Sequence, residues 1–198
     1  LLTGLSTDPR AGLSACLYTA EEAILNLELV ATLKKPTGFY DPKNPEMKGS
    51  EDADSKDDDE VLTIEEASRK LRSPMLSFSN TDMAFKDNLL VAGSSHGFNI
   101  YELQDNGIPN LITSVVCPGG QGDVSVVGNI LIMSVEETRG RVDCGLDGVG
   151  PDASPERFRG IRIFDISNIK KPKQVGAVQT CRGSHTHSVV AGPTVDNK

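Results

Sequence analysis

Between residues 81 and 134 the chain repeats itself. The stretch "TDMAFKDNLLVAG" (81–93) returns 41 residues later as "GDVSVVGNILIMS" (122–134), with Asp82 matched by Asp123 and Asn88 by Asn129. The match continues between "GFNIYELQDNGIPNLITSVVC" (97–117) and "GIRIFDISNIKKPKQVGAVQTC" (160–181), which pairs Gly97 with Gly160, Ile100 with Ile163, Tyr101 with Phe164, Glu102 with Asp165, Pro109 with Pro172 and Cys117 with Cys181. A repeat of this length is one supersecondary unit that cannot bury its apolar face alone and must stack on its neighbour. Apolar and polar residues alternate within each unit, as strands require. Two-residue turn signals interrupt the alternation at Asp87-Asn88 and Gly128-Asn129, a Gly leads the third strand, and a fourth strand follows the Pro. Four short antiparallel strands per unit is the size of a propeller blade, and a repeat-free β-sandwich would not keep these paired positions in register. "THSVVAGPT" (186–194) begins a third copy. The expected fold is therefore all-β: a partial β-propeller of two full blades plus the start of a third, with short N-terminal helices and long loops.

The second interval is longer than the first. Its excess falls in "VEETRGRVDCGLDGVGPDASPERFR" (135–159), a Gly-rich, charged loop that carries Cys144. Cys117 precedes Asp123 by six residues and Cys181 precedes His187 by six, so this alignment gives His187 the place held by Asp82 and Asp123. In a propeller the first strand of each blade lines the central channel, which gathers Asp82, Asp123 and His187 at one mouth. His185, two residues earlier, shares their face. Carboxylates and imidazoles so arranged can take a divalent cation, calcium or magnesium where oxygens dominate and zinc or copper where histidines do. The same side chains can equally satisfy backbone groups of neighbouring blades. Both readings stay open at this level. His96, in "SSHGF", falls at a blade end.

Composition narrows the function classes. A net charge of −8 at pH 7 opposes nucleic acid, whose phosphates are neutralised by Lys and Arg clusters. No apolar run reaches the ~18 residues of a membrane span, so the chain has no transmembrane segment of its own. Four cysteines without a C-x-x-C pair exclude a zinc ribbon or a thioredoxin-type site and point to disulfides in an oxidising compartment. Cys144 is expected to pair with Cys117 or Cys181. "CPGGQGD" lacks the Lys-Ser/Thr of a phosphate loop, and no Gly-x-Ser-x-Gly elbow accompanies Ser184 and His185. The acidic run from Glu51 to Glu60 fails the spacing of a calcium loop, because Lys56 falls on a ligand position in either frame, and it reads as a solvated segment.

Three regions follow. Residues 1–42 form a leader in which Thr19 and Glu22 have capping-box spacing for a short helix, and Leu27, Leu29 and Ala31 alternate as a strand. Residues 43–75 are an acidic, Pro-containing linker with a short helix begun at Thr63 and stopped by Pro74. Residues 76–198 carry the blades. The start, "LLTGLSTDPRAGL", has no basic n-region or apolar h-region and reads as a mature or trimmed end.

At "GIRIFDISNIKKPKQVGAV" the chain resembles the LVIVD-repeat proteins, whose repeats carry a Gly-led apolar strand, Asp-Ile, and Asn/Lys-Pro before another apolar strand. "GFNIYEL" is similar, with Glu102 in place of the usual Asp. The resemblance spans about residues 80 to 190, and residues 8 to 42 resemble the family's leader. It implies an exported bacterial protein, periplasmic or at the cell surface, and brings no catalytic motif. The expectation is a non-catalytic binding or scaffolding module, an accessory subunit of a larger membrane-associated complex. A protein partner, or the remainder of a longer chain, would cover the open propeller edge. The competing expectation is a metal-dependent enzyme with its site at the channel mouth.

Overall fold

Each repeat folds as one four-stranded antiparallel meander. In the computed structural model, which describes residues 8–16, 19–34, 36, 39, 80–146, 148–150 and 152–192, the first sheet runs β1 (Asn80–Lys86), β2 (Leu89–Ser94), β3 (Gly97–Leu103), β4 (Pro109–Val116). The second runs β5 (Val124–Val127), β6 (Ile130–Val135), β7 (Gly160–Asp165), β8 (Lys173–Gln179), each strand again beside its successor. Among the described residues there is no helix.

Local chemistry explains the repeated glycine. Gly97 and Gly160 open β3 and β7 with φ of 134° and 148°, and a Cβ there would lie 2.0 Å from the carbonyl oxygens of Val115 and Val178 respectively. Only hydrogen fits that approach. The first residues of the two equivalent hairpin turns, Asp87 and Gly128, both have positive φ (52° and 57°), which Gly adopts freely and Asp tolerates. Both sheets also shift register at the same place, between Ile100 and Tyr101 and between Ile163 and Phe164.

The ladders correct the alignment at its C-terminal end. Gly97 faces Val116 and Gly160 faces Gln179. Just beyond, Cys117 N donates to His96 O (2.6 Å) and Thr180 N donates to Arg159 O (2.9 Å). Thr180, not Cys181, is thus the counterpart of Cys117. On the same offset His187 stands at the place of Val124, and Thr186 at that of Asp123. Matching cysteines displaced the register by one residue, because backbone pairing, not the identity of an exposed side chain, fixes position at a strand end.

The core lies between the sheets, which meet through β1 and β5. Val91, Phe98 and Ile100 come from the first sheet, Val124, Leu131, Met133 and Phe164 from the second, with Cys117 and Ile166 beside them. Phe98 and Phe164 meet edge to face with centroids 5.0 Å apart. Burying side chains of this size contributes about 1.5–3 kcal/mol each, the main term holding the sheets together.

The chain divides into two units, Leu1–Thr32 and Leu33–Lys198. In the first, Glu21 N donates to Ser14 O (3.1 Å) and Ser14 N donates to Glu21 Oε2 (2.9 Å), closing a small loop. Residues 19–34 carry neither helix nor strand, so the helix expected from Thr19 and Glu22 and the strand expected at Leu27–Ala31 are not formed. A helix of one or two turns is marginal in water, and a strand without a ladder partner has nothing to hold it. Leu25 and Leu27 are accordingly more than 80% exposed (81% and 82%). The acidic run and the expected helix from Thr63 lie outside the described residues.

Candidate functional site

The repeated aspartates turn out to join units. Asp82, at the start of β1, accepts a hydrogen bond at Oδ2 from Val124 N (2.9 Å), the first residue of β5. Asp123 does the same one unit later, accepting at Oδ2 from His187 N (2.8 Å). Asp82 thus takes the N–H at the entry to the second sheet and Asp123 that of His187 in the segment after β8, each a charge-assisted bond stronger than a neutral one. We call these contacts latches.

Around the first latch the backbones nearly touch. A Cβ on Gly93 would meet Gly122 O at 2.0 Å, and one on Gly122 would meet Ser94 O at 2.0 Å. At the second latch Ser134 replaces Gly93, and its hydroxyl lies 2.9 Å from both Ser184 Oγ and His187 Nδ1. Asp123 Oδ2 lies 2.8 Å from the same Nδ1. A nucleophilic relay places the carboxylate on one imidazole nitrogen and the hydroxyl on the other. Here both gather on Nδ1, while Nε2 is buried without a hydrogen-bond partner. The cluster is a polar brace with the composition of a triad and not its geometry.

The other histidines are separate. His185 Nδ1 lies 2.6 Å from Glu136 Oε2 and its Nε2 3.2 Å from the Gln121 amide, on an exposed face. His96 is fully buried in the β2–β3 turn, its ring edge-on to Phe39 with centroids 5.9 Å apart. Of the residues suggested as a cation ring, Asp82 therefore serves the first latch, Asp123 and His187 the second, and His185 a neighbouring contact with Glu136. Among the described residues no group of three or more His, Cys, Asp or Glu side chains is placed to hold a metal ion.

Cys144 pairs with Cys117, across a Cα separation of 4.4 Å, leaving Cys181 an exposed thiol. The bond ties the long β6–β7 loop to the linker between the sheets. Arg162 does so a second time, and the sequence reading overlooked it. Although fully buried, it donates from Nη1 to Cys117 O and Pro118 O (both 3.1 Å) and from Nη2 to Arg141 O, with its guanidinium 5.5 Å from the Phe158 ring centre. Burial pushes its pKa down to about 10, against the opposing charge of Asp143, so it remains a cation at neutral pH. The signal was present in "GIRIFD", where Arg162 shares the period-2 face of Phe164. On the loop, Arg141 bridges Asp143 (2.7 Å) and Glu156 (2.5 Å), and the Asp143 carboxyl is held well below the usual range by Arg141 and then by the Gly145 N–H.

Fold and site together define an all-β protein of two like sheets joined by one aspartate latch, with a second latch between the second sheet and the segment after β8. Set against known proteins, the chain matches no family model, no curated protein and no solved structure.

Proposed function

We propose that this chain is a non-catalytic binding or scaffolding module of β-propeller type, related to the LVIVD-repeat proteins, exported to the periplasm or cell surface, and accessory to a larger membrane-associated assembly. The observation that carries this reading is the use made of the repeated aspartates: Asp82 and Asp123 each accept the backbone N–H that opens the next unit. Carboxylates committed to backbone donors are structural parts of a stack, and a stack of like sheets presents surface, not a reaction centre. The Cys117–Cys144 disulfide supports an oxidising compartment.

Elemental analysis with thermal unfolding, in the presence and absence of a chelator, tests the reading, since a ligand bound only to the folded state stabilises it. The expected result is no stoichiometric zinc or copper and superimposable curves. Stoichiometric metal that is lost on His187→Ala would overturn it in favour of a metal-dependent enzyme.

A further inference from the structure

The outward face of the second sheet is the counterpart of the face that the first sheet buries. Val91, Phe98 and Ile100 correspond in the repeat to Ile132, Ile161 and Ile163. The first three are at most 1% exposed, whereas the other three are all partly exposed. Val178, across the ladder from Ile161, is 53% exposed, while Val115, across from Phe98, packs on the core. An aliphatic face built like a core is left in partial contact with water.

Three features continue the first junction onto this face. Asp123 holds His187 N as Asp82 holds Val124 N. Ser188-Val189-Val190 repeats Ser125-Val126-Val127, residue for residue, on the offset that the ladders define. Further along, Lys86 donates to Asn129 Oδ1 (3.2 Å) at the first junction, and at the equivalent positions a Cβ on Gly192 would meet Val127 at 3.6 Å. Residues 187–192 therefore follow β5 as β5 and its turn follow β1.

We propose that the outward face of the second sheet is the seat of a third four-stranded sheet of the same repeat, with residues 187–190 as its first strand and the other strands following them in the polypeptide. This rests on the repeat-module reading above, though not on its metal test. The opposite face of the first sheet is buried at Asn99 and Tyr101 (0% and 9% exposed) but open at Met83 and Phe85 (61% each), so a second copy stacked head to tail is the rival occupant. The chain's own continuation is chosen because residues 187–192 already lie along β5 in the register of the first junction.

The experiment compares the 198-residue chain with an extended chain in which residues 1–186 are followed by a second copy of residues 124–192. Both are made with Ile163→Cys and treated with iodoacetamide, labelling at residue 163 being read by peptide mass. Labelling should be about tenfold slower or more in the extended chain, whose added sheet must open before the thiol reacts. Without the cysteine, the extended chain should unfold at higher urea, and Ile163→Asp should erase that gain, lowering the midpoint of the extended chain about twofold more than that of the 198-residue chain, or further. Equal labelling, no gain in urea, or a gain insensitive to Ile163→Asp overturns the proposal. So does a native-mass dimer of the 198-residue chain that Ile163→Asp dissociates, which would assign the face to a second copy. Metal found in the protein would remove the functional reading and leave these outcomes as they stand.

Discussion

The two latches begin with the same residue type at the same place in the repeat and are finished differently. At the first, Gly93 and Gly122 bring backbones together and the apolar faces of two sheets close over Val91, Phe98 and Ile100. At the second, Ser134, Ser184 and His187 form a polar cluster beside an aliphatic face that is only partly covered. A repeat pattern supplies the means of stacking, but the hydrophobic gain arrives only where a neighbour removes the face from water. Equivalent residues should therefore differ in energetic weight according to which side of the second sheet they occupy.

The largest expected contrast is between Phe98 and its counterpart Ile161. In urea unfolding Phe98→Ala should cost about 3–5 kcal/mol, as truncations of buried aromatics do. Ile161→Ala should cost about 1 kcal/mol, since little area is lost and no sealed cavity forms. Equal costs would show that the second face is as buried as the first.

The disulfide sharpens the contrast, because it braces the first junction alone. Replacing Cys117 and Cys144 together by Ser should lower stability by about 2–4 kcal/mol. Cys181→Ser, at an exposed thiol beyond β8, should leave the urea midpoint where it was. A loss on Cys181→Ser would mean that the second junction also depends on its cysteine.

The latches themselves should be unequal. Asp82→Ala strips the partner from the N–H of Val124, which is buried, and should cost about 1–3 kcal/mol. Asp123→Ala should cost less, because His187 is less buried and Ser134 still reaches its ring. The same pair of variants, followed by limited proteolysis, should show residues 187–192 released by Asp123→Ala and untouched by Asp82→Ala.

The smallest effect is on the acid side. The Ser167 N–H beside Asp165 holds that carboxyl below its ordinary value. A folded-state pKa below the unfolded value of about 4 gives stability that is complete above that pH and disappears as pH falls through the lowered value. Urea midpoints should thus be flat from pH 7 to 5 on this account and decline below about 4, and Asp165→Asn should flatten part of that decline. An unchanged slope in the variant would remove Asp165 from the acid response.

Several features were legible because their causes are local. The glycine at the head of β3 and β7, the turns at Asp87 and Gly128, and the alternation of every strand follow from backbone sterics and side-chain period within a few residues. The role of His187 was misplaced by one position, since alignment on Cys181 carried no information about pairing. The leader's helix and strand were overestimated for a related reason: capping spacing and alternation mark preferences that need packing to be realised. Cys144 could be narrowed to two partners and no further, and Arg162 was passed over although the strand period puts it on the face of Phe164.

By itself the sequence determined the repeat, the strand count of each unit and the residues that must be glycine, because period-2 alternation and positive φ act over neighbours in the chain. Only the tertiary structure decided which aliphatic face became core, which cysteine reached Cys144, and that Asp82 and Asp123 accept N–H groups 42 and 64 residues away. Burial and hydrogen-bond partnership depend on what stands opposite in space, and for the outward face of the second sheet that neighbour lies beyond what local pattern can specify.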